Sequence, residues 1–169
     1  MIITIPESGM QFGPFDEVDI FRIEKSQLYK SLGENIKAVE FVLCQQMNTI
    51  YFIEAKSSSP RPHNNEDFNK YILELHEKFA HSIDLFFPII LKRKEDIDGE
   101  MPRCFHEAEY ARIAIKLILV INGHETGWLT PISDALKKRL KRQIRTWNLT
   151  VTVLNHQLAY ENQLISELP

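Results

Sequence analysis

The chain has 169 residues, of which 44% are hydrophobic and 25% are charged. This composition is typical of one ordinary globular domain and excludes collagen-like, disordered and disulfide-scaffold proteins. The net charge is −3, so the overall field does not attract nucleic acid or an anionic membrane, and such a partner requires a local charged patch. We therefore expect a single domain spanning residues 1–169.

The two cysteines, Cys44 and Cys104, lie far apart in the sequence and are typical of reduced thiols rather than of a secreted disulfide framework. The N-terminal apolar run stops at Pro6 and has no charged region before it, unlike a signal peptide. No stretch approaches the roughly 18 apolar residues that a membrane-spanning helix requires. We expect a cytoplasmic protein that has no membrane partner.

The first 35 residues carry weak patterning that fits either strand or helix. Residues 37–44 and 49–56 are rich in β-branched and aromatic side chains, which predicts two strands. The polar segment 45–48 between them is short enough for a turn. The two strands are therefore predicted to form an antiparallel hairpin.

A long amphipathic helix is predicted to follow, capped by Asn64 or Asn65 and ending at Pro88. The nearly continuous apolar run 113–121 favours a central strand buried on both faces. Thr130-Pro131 opens a second helix, which we extend through residues 133–147. A last strand over 149–154 and a short helix over 157–165 complete an α/β fold with a mixed β-sheet flanked by helices.

Three of the four charged residues in the two predicted strands of the hairpin are expected to lie close together: Glu40, Glu54 and Lys56. Glu54 and Lys56 lie two residues apart in one strand, so their side chains share a face. If the turn is centred on Met47, Glu40 lies opposite Glu54 on the neighbouring strand. Cross-strand neighbours have Cβ atoms about 4.5–5.5 Å apart, which predicts that two carboxylates and one ammonium group converge.

Such a group suits a divalent cation, because two close carboxylates resist joint ionisation unless a cation lies between them. Mg²⁺ binds carboxylate oxygens, retains several waters and can bridge to a phosphate. It polarises the phosphoryl oxygen, while a lysine orients the attacking water or stabilises developing charge. The chemistry indicated is metal-assisted phosphodiester hydrolysis; the alternative is an ordinary salt bridge of Lys56 with one glutamate.

With a Glu-x-Lys at the end of a hairpin strand and a long helix after it, the sequence resembles the PD-(D/E)xK, or restriction-endonuclease-like, nuclease superfamily. The resemblance covers about residues 36–155. By position, Glu40 matches the first acidic residue of the motif and residues 53–56 match the second. The sequence departs from the pattern in having Glu40 where aspartate is commoner and Val39 where the family has proline.

The resemblance implies a central mixed sheet flanked by helices and a Mg²⁺- or Mn²⁺-dependent enzyme that hydrolyses DNA. Glu40 and Glu54 would be the metal ligands, and Lys56 would be the catalytic residue that positions water or stabilises charge. Many members add a glutamate from an N-terminal helix, for which Glu24 is the best-placed candidate and Glu34 the next. The alternative for both is an exposed surface charge.

The second helix carries a cluster of cations that could follow a phosphate backbone. Four of them are expected on one side of the helix at helical spacing: Lys138, Lys141, Arg142 and Arg145. A solvated face with no ligand is the alternative. In a slightly acidic chain, this cluster indicates a polyanionic partner such as DNA.

Two further residues, and two other functions for the whole chain, are kept as alternatives. His63 could touch a substrate phosphate and Trp128 could stack on a base, although an ordinary turn explains His63 better and core or helix-end packing explains Trp128 better. The chain could be a catalytically inactive nuclease-fold protein that binds nucleic acid or serves as a partner subunit. It could also be a homodimer whose contact is formed by exposed aromatic residues Phe12, Phe15 and Phe21.

Overall fold

The computed structural model describes residues 1–166, apart from the side chain of Asp98, so the last three residues of the predicted 1–169 domain lie outside it. The described part contains seven strands: β1 (Ile2–Glu7), β2 (Met10–Asp16), β3 (Ile20–Phe21), β4 (Phe41–Gln45), β5 (Thr49–Lys56), β6 (Ala114–Ile121) and β7 (Thr150–Asn155). It also contains six α-helices: α1 (Gln27–Ser31), α2 (Asn65–Ile90), α3 (Arg103–Glu107), α4 (Leu129–Arg139), α5 (Lys141–Trp147) and α6 (His156–Glu161).

The central sheet has five strands in the order β3-β4-β5-β6-β7. β4 is antiparallel to β3 and to β5, whereas β5, β6 and β7 run parallel to one another. β1 and β2 form a separate antiparallel hairpin within the ambiguous N-terminal segment. The predicted α/β class and the mixed sheet flanked by helices are confirmed.

Two apolar layers enclose this sheet. On one face, α2 and α4 pack against alternating strand residues such as Phe52 and Leu117. On the other face, the β1–β2 hairpin and α6 cover the residues of opposite parity, such as Ile53 and Val120. β6 is therefore buried on both sides, as its continuous apolar sequence predicts.

The predicted β4–β5 hairpin is confirmed together with its register, since Phe41 pairs with Ile53 and the pairing is centred on Met47. β4 begins later than the predicted residue 37. The preceding backbone bonds to α2 instead: the Val39 N–H donates to Ser82 Oγ at 2.9 Å, and the Lys37 N–H donates to His81 Nδ1 at 3.2 Å.

Helix α2 begins as predicted, because Asn64 is its N-cap and its side chain accepts a hydrogen bond from the Asp67 N–H. The predicted end at Pro88 is wrong, since the helix continues to Ile90. Phe87 and Ile89, on either side of the proline, are both buried. Their packing holds a further partial turn despite the N–H that proline lacks.

The prediction of one helix over 133–147 is wrong. The structure has two helices, α4 and α5, that are separated at Leu140, where φ is −87° and ψ is 8°. Leu140 is fully buried, so the side chain is anchored in the core at the point where the backbone departs from helical geometry.

The prediction that Phe12 and Phe21 are exposed in a subunit contact is also wrong. Phe12 is fully buried and Phe21 is 3% exposed, while Phe15 is half-buried. Phe12 packs edge-on against Phe41 with ring centroids 5.6 Å apart. These aromatic residues attach the N-terminal segment to the sheet. Phe12 and Phe21 therefore pack within the chain and cannot form the subunit contact of the homodimer alternative.

Cys44 on β4 and Cys104 on α3 are far apart in the sequence but lie next to each other in the fold. Both thiols are free, and burial together with the neighbouring thiol of Cys44 raises the pKa of Cys104 to about 12. Both cysteines therefore remain protonated at neutral pH.

Within residues 1–166, no helix has the length and apolar character needed to cross a bilayer.

Candidate active site

The charged residues of the hairpin occupy the carboxyl end of β5, on the sheet face that α2 covers. Glu54 has the same parity as Ile50 and Phe52, which pack against α2. Its side chain is fully buried, whereas the side chain of Lys56 is 22% exposed. A carboxyl group in this position lies in the core, next to a lysine that reaches the surface.

Lys78 of α2 connects the two predicted carboxylate ligands. Its Nζ lies 2.8 Å from Oε1 of Glu54 and 3.5 Å from Oε1 of Glu40. Glu40 immediately precedes β4, and the hairpin register brings it beside Glu54. The structure therefore brings Glu40 and Glu54 together, as predicted, and adds a lysine between them.

Lys56 joins the same cluster. Its Nζ lies 3.6 Å from Oε1 of Glu54 and donates to Oε1 of Glu74 on α2 at 2.5 Å. The side chain of Glu40 is 19% exposed, so the cluster reaches the protein surface at both Glu40 and Lys56.

Burial and the neighbouring lysines have opposite effects on the pKa of Glu54. Burial raises the pKa of Glu54 to about 7, although the Lys78 and Lys56 ammonium groups act in the opposite direction. Burial lowers the pKa of Lys78, but the carboxylates of Glu54 and Glu40 outweigh it and raise the pKa overall. Because the pKa of Glu54 lies near neutral pH, a further positive charge beside Glu54 would lower this pKa and favour the ionised carboxylate.

Two buried polar atoms in this cluster lack a partner among the described residues. Oε2 of Glu54 and the hydroxyl of Tyr71 on α2 both have no hydrogen bond. Burial and the charges of Glu54 and Glu74 raise the pKa of Tyr71, which keeps its hydroxyl protonated. An unsatisfied buried polar group costs about 1–3 kcal/mol, which favours a bound water or cation beside them.

The N-terminal segment supplies further carboxylates around Glu40. Glu24 is exposed. It lies in a 3-10 helix of one turn, Ile23–Lys25, and not in the α-helix that the family resemblance implied. Partial burial of its carboxyl group and the nearby Glu40 carboxylate raise the pKa of Glu24. The same two causes raise the pKa of Glu7, at the end of β1.

Glu34, the second candidate for an additional acidic ligand, is exposed and forms no hydrogen bond or ion pair with the described residues of the cluster. Sequence reasoning missed Tyr71, Glu74 and Lys78, which follow each other at spacings of three and four along α2. That spacing marks one helical stripe. The sequence pattern gives Glu74 and Lys78 no role in the site, because they border the apolar residues by which the buried face of α2 is predicted.

The cluster fits a hard divalent cation. Oε2 of Glu54 is available as a ligand. Five carboxyl groups lie close to four cations in the described part of the chain: Glu7, Glu24, Glu40, Glu54 and Glu74 with Arg22, Lys37, Lys56 and Lys78. Over the described residues, no group of three or more His, Cys, Asp or Glu has the arrangement of a metal site. Mg²⁺ commonly uses only one or two protein carboxylates and completes its shell with water.

Comparisons with known proteins do not extend this description. No family model, curated protein or solved structure matches the chain significantly. The resemblance to the PD-(D/E)xK superfamily therefore rests on Glu40, Glu54, Lys56 and the elements that carry them.

The four predicted nucleic-acid-binding cations are all exposed, but the break at Leu140 divides them. Lys138 lies on α4, whereas Lys141, Arg142 and Arg145 lie on α5. Burial and the nearby charges of Arg139 and Arg142 lower the pKa of His76 on α2.

The position of His76 relates this basic group to the candidate active site. Residues two apart on a helix point in nearly opposite directions, so His76 faces away from both Glu74 and Lys78. The basic group therefore lies on the opposite side of α2 from Lys56 and its partners.

Proposed function

We propose that this chain is a Mg²⁺- or Mn²⁺-dependent nuclease of the PD-(D/E)xK type that hydrolyses phosphodiester bonds in DNA. The observation that carries the proposal is the buried Glu54, whose Oε2 has no partner and whose neighbours include Glu40 and Lys56. A buried carboxyl group is costly unless it is paired. A metal ion beside it would both satisfy that oxygen and supply the reaction chemistry.

The roles of the residues follow from their exposure. Glu54 and Glu40 would hold the metal, which when bound lowers the pKa of a coordinated water and polarises the phosphoryl oxygen. Lys56 reaches the surface and can orient the attacking water or stabilise charge on the phosphate. Glu74 is a positioning residue, because its carboxylate holds the Lys56 ammonium group at 2.5 Å.

One observation favours a second candidate function, a nuclease-fold protein that binds nucleic acid without cutting it. The Lys78 ammonium group already supplies positive charge to Glu54 and Glu40. A fixed cation at that place opposes the approach of a divalent ion. This candidate predicts salt-sensitive DNA binding and no metal-dependent cleavage.

The test is cleavage of DNA by the purified chain with Mg²⁺, with Mn²⁺ and with a chelator. We expect cleavage only with metal, and a loss of roughly 10²–10³-fold in Lys56→Ala, as for removal of one group that stabilises transition-state charge. Glu54→Gln should lose metal-dependent cleavage as well. Circular dichroism and thermal melting establish that each variant is folded.

Lys70→Ala provides the matched control, because Lys70 is an exposed α2 lysine that also pairs with a glutamate. It should cut at the rate of the unaltered chain. Cleavage that persists in the chelator, or full activity in folded Lys56→Ala, would exclude the proposed site. DNA binding that weakens with salt in the absence of any cleavage would favour the second candidate.

A further inference from the structure

A pocket of about 220 Å³ lies between the loop that follows β5 and the loop that follows β6. Its walls include Arg61, His63, His124, Trp128 and Ile132. β5 and β6 are parallel neighbours, and open α/β sheets bind ligands in crevices at the carboxyl ends of such strands. Ile132 belongs to α4, so the pocket opens on the sheet face that also carries Glu54 and Lys56.

The loop between β6 and α4 is held in place by hydrogen bonds. Nε2 of His124 lies 2.6 Å from Oγ of Ser59, and the main-chain oxygen of His124 accepts a bond from Nδ2 of Asn155 at 2.9 Å. Burial and the nearby Arg61 lower the pKa of His124, so its ring is neutral at pH 7. The pocket is therefore preformed, with a neutral imidazole in its wall.

Flat side chains converge at the mouth of the pocket. The Arg61 guanidinium lies 4.6 Å from the centroid of the Trp128 ring, and the His124 ring packs edge-on against Trp128 at 5.5 Å. Trp128 remains 40% exposed. An exposed indole is a stacking surface for any nucleobase, and an arginine can stack through its plane while its N–H groups bind phosphate.

We propose that this pocket binds an unpaired nucleotide, with the base stacked on the Trp128–Arg61 pair and the attached phosphate bound by the Arg61 guanidinium. The volume lies below the range of about 300–1,000 Å³ that drug-sized ligands occupy, which suits a single planar ring system. Arg61 lies in the loop that follows Lys56, so the nucleotide would bind at the same carboxyl edge of the sheet as the candidate active site.

As a subsite for a nucleic-acid strand, this inference rests on the proposed function and assigns it a substrate with unpaired nucleotides. A base inside a duplex is stacked on both sides and cannot reach Trp128 without being unpaired and extruded, which opposes binding of duplex DNA. The chain should therefore prefer single strands to duplex DNA.

The test is a binding titration of the full chain in a chelator, so that its outcome does not depend on cleavage. The probes are a deoxynucleoside monophosphate, a single strand of about 12 nucleotides, and a blunt duplex of the same sequence. Trp147→Phe leaves Trp128 as the only tryptophan, so that selective excitation of tryptophan reports on Trp128. Anisotropy of a labelled strand gives a second readout in the unaltered chain. We expect strand binding to quench Trp128 and to exceed duplex binding.

Trp128→Ala should weaken single-strand binding by about 5- to 150-fold, the range for loss of one base–aromatic stack, and Arg61→Ala should weaken it as well. The matched controls are Tyr160→Ala, which removes an equally exposed aromatic ring on α6, and Arg112→Ala, which removes an exposed arginine. Both should bind the strand normally.

Binding of the monophosphate alone, with the same dependence on Trp128 and Arg61, would assign the pocket to a free nucleotide and would support the recognition chemistry. Unchanged strand affinity in Trp128→Ala and Arg61→Ala would overturn the inference, even if metal-dependent cleavage is found. Trp128-dependent binding in the chelator, together with no cleavage in the separate assay with Mg²⁺ or Mn²⁺, would support the pocket and exclude the nuclease.

Discussion

Glu54 is subject to two opposing influences, since full burial raises its pKa while Lys78 and Lys56 lower it. Burial prevails, and the folded chain retains the proton up to about pH 7, whereas the unfolded chain releases it near the ordinary value of 4.5. Between these values the folded state binds more protons. The free energy of unfolding therefore falls as the pH rises through this window.

Replacing Glu54 with glutamine removes this contribution to the pH dependence. We expect the difference in unfolding free energy between the unaltered chain and Glu54→Gln to fall by about 3 kcal/mol from pH 4 to pH 8, because one pKa unit corresponds to 1.36 kcal/mol. Urea denaturation at four or five pH values in that interval measures it.

Glu74→Gln is the matched control, because the hydrogen bond from Lys56 lowers the pKa of Glu74. The stability that Glu74 contributes is present above its ordinary pKa and is lost as the pH falls through the lowered value. This variant should leave the slope between pH 5 and pH 8 unchanged. A Glu54→Gln difference that is constant with pH would contradict the stated protonation of Glu54.

The three central residues of the candidate site were predictable because a strand has a fixed period of two and a hairpin has one register about its turn. Those rules place Glu40 beside Glu54 and put Lys56 on the same face, and the structure has this arrangement. Lys78 was not predictable in this way, since its position depends on how α2 crosses the sheet.

Among the helices, the predicted basic cluster depended on a continuous backbone, because residues at helical spacing share one side only within a single helix. Their helical spacing assumed one helix, but the buried Leu140 divides it into α4 and α5. Lys141, Arg142 and Arg145 nevertheless remain exposed on one short helix. They are the part of the predicted cluster that can still contact phosphates together.

A charge reversal on α5 tests the DNA partner. We expect Lys141→Glu/Arg142→Glu to weaken duplex binding and to reduce the slope of log affinity against log salt by up to about 1.8, because each phosphate contact contributes about 0.9. Binding isotherms at four salt concentrations, recorded in a chelator, measure this slope.

Lys92→Glu/Lys94→Glu carries the same change in charge on exposed residues beyond the end of α2. It should reduce the slope less than the α5 variant does. Equal reductions in both would mean that the overall charge, rather than the α5 surface, governs binding.

At the scale of the whole molecule, the N-terminal hairpin acts as the second layer of the core. Phe12 is fully buried against Phe41 and bridges to Ile165 near the other end of the described chain. The hairpin thus joins sequence-distant segments over the sheet face that α2 and α4 leave uncovered.

Phe12→Ala should lower the free energy of unfolding by about 3–5 kcal/mol, the usual range for truncating a buried phenylalanine. This is a large part of the roughly 5–15 kcal/mol that stabilises a typical domain. Chemical denaturation measures the loss, and the half-buried Phe15→Ala should lose less. A loss in Phe12→Ala no larger than that in Phe15→Ala would contradict the role of Phe12 as a buried anchor of the hairpin.

The α/β class, the β4–β5 hairpin and its register, the buried strand β6 and the beginning of α2 could all be predicted from the sequence, because each depends on local periodicity or capping. Three features could not be predicted in this way: β1 and β2 form a layer, α4 and α5 are separate, and Lys78 lies between two glutamates. These features arise from contacts between residues far apart in the chain, and no local spacing encodes them.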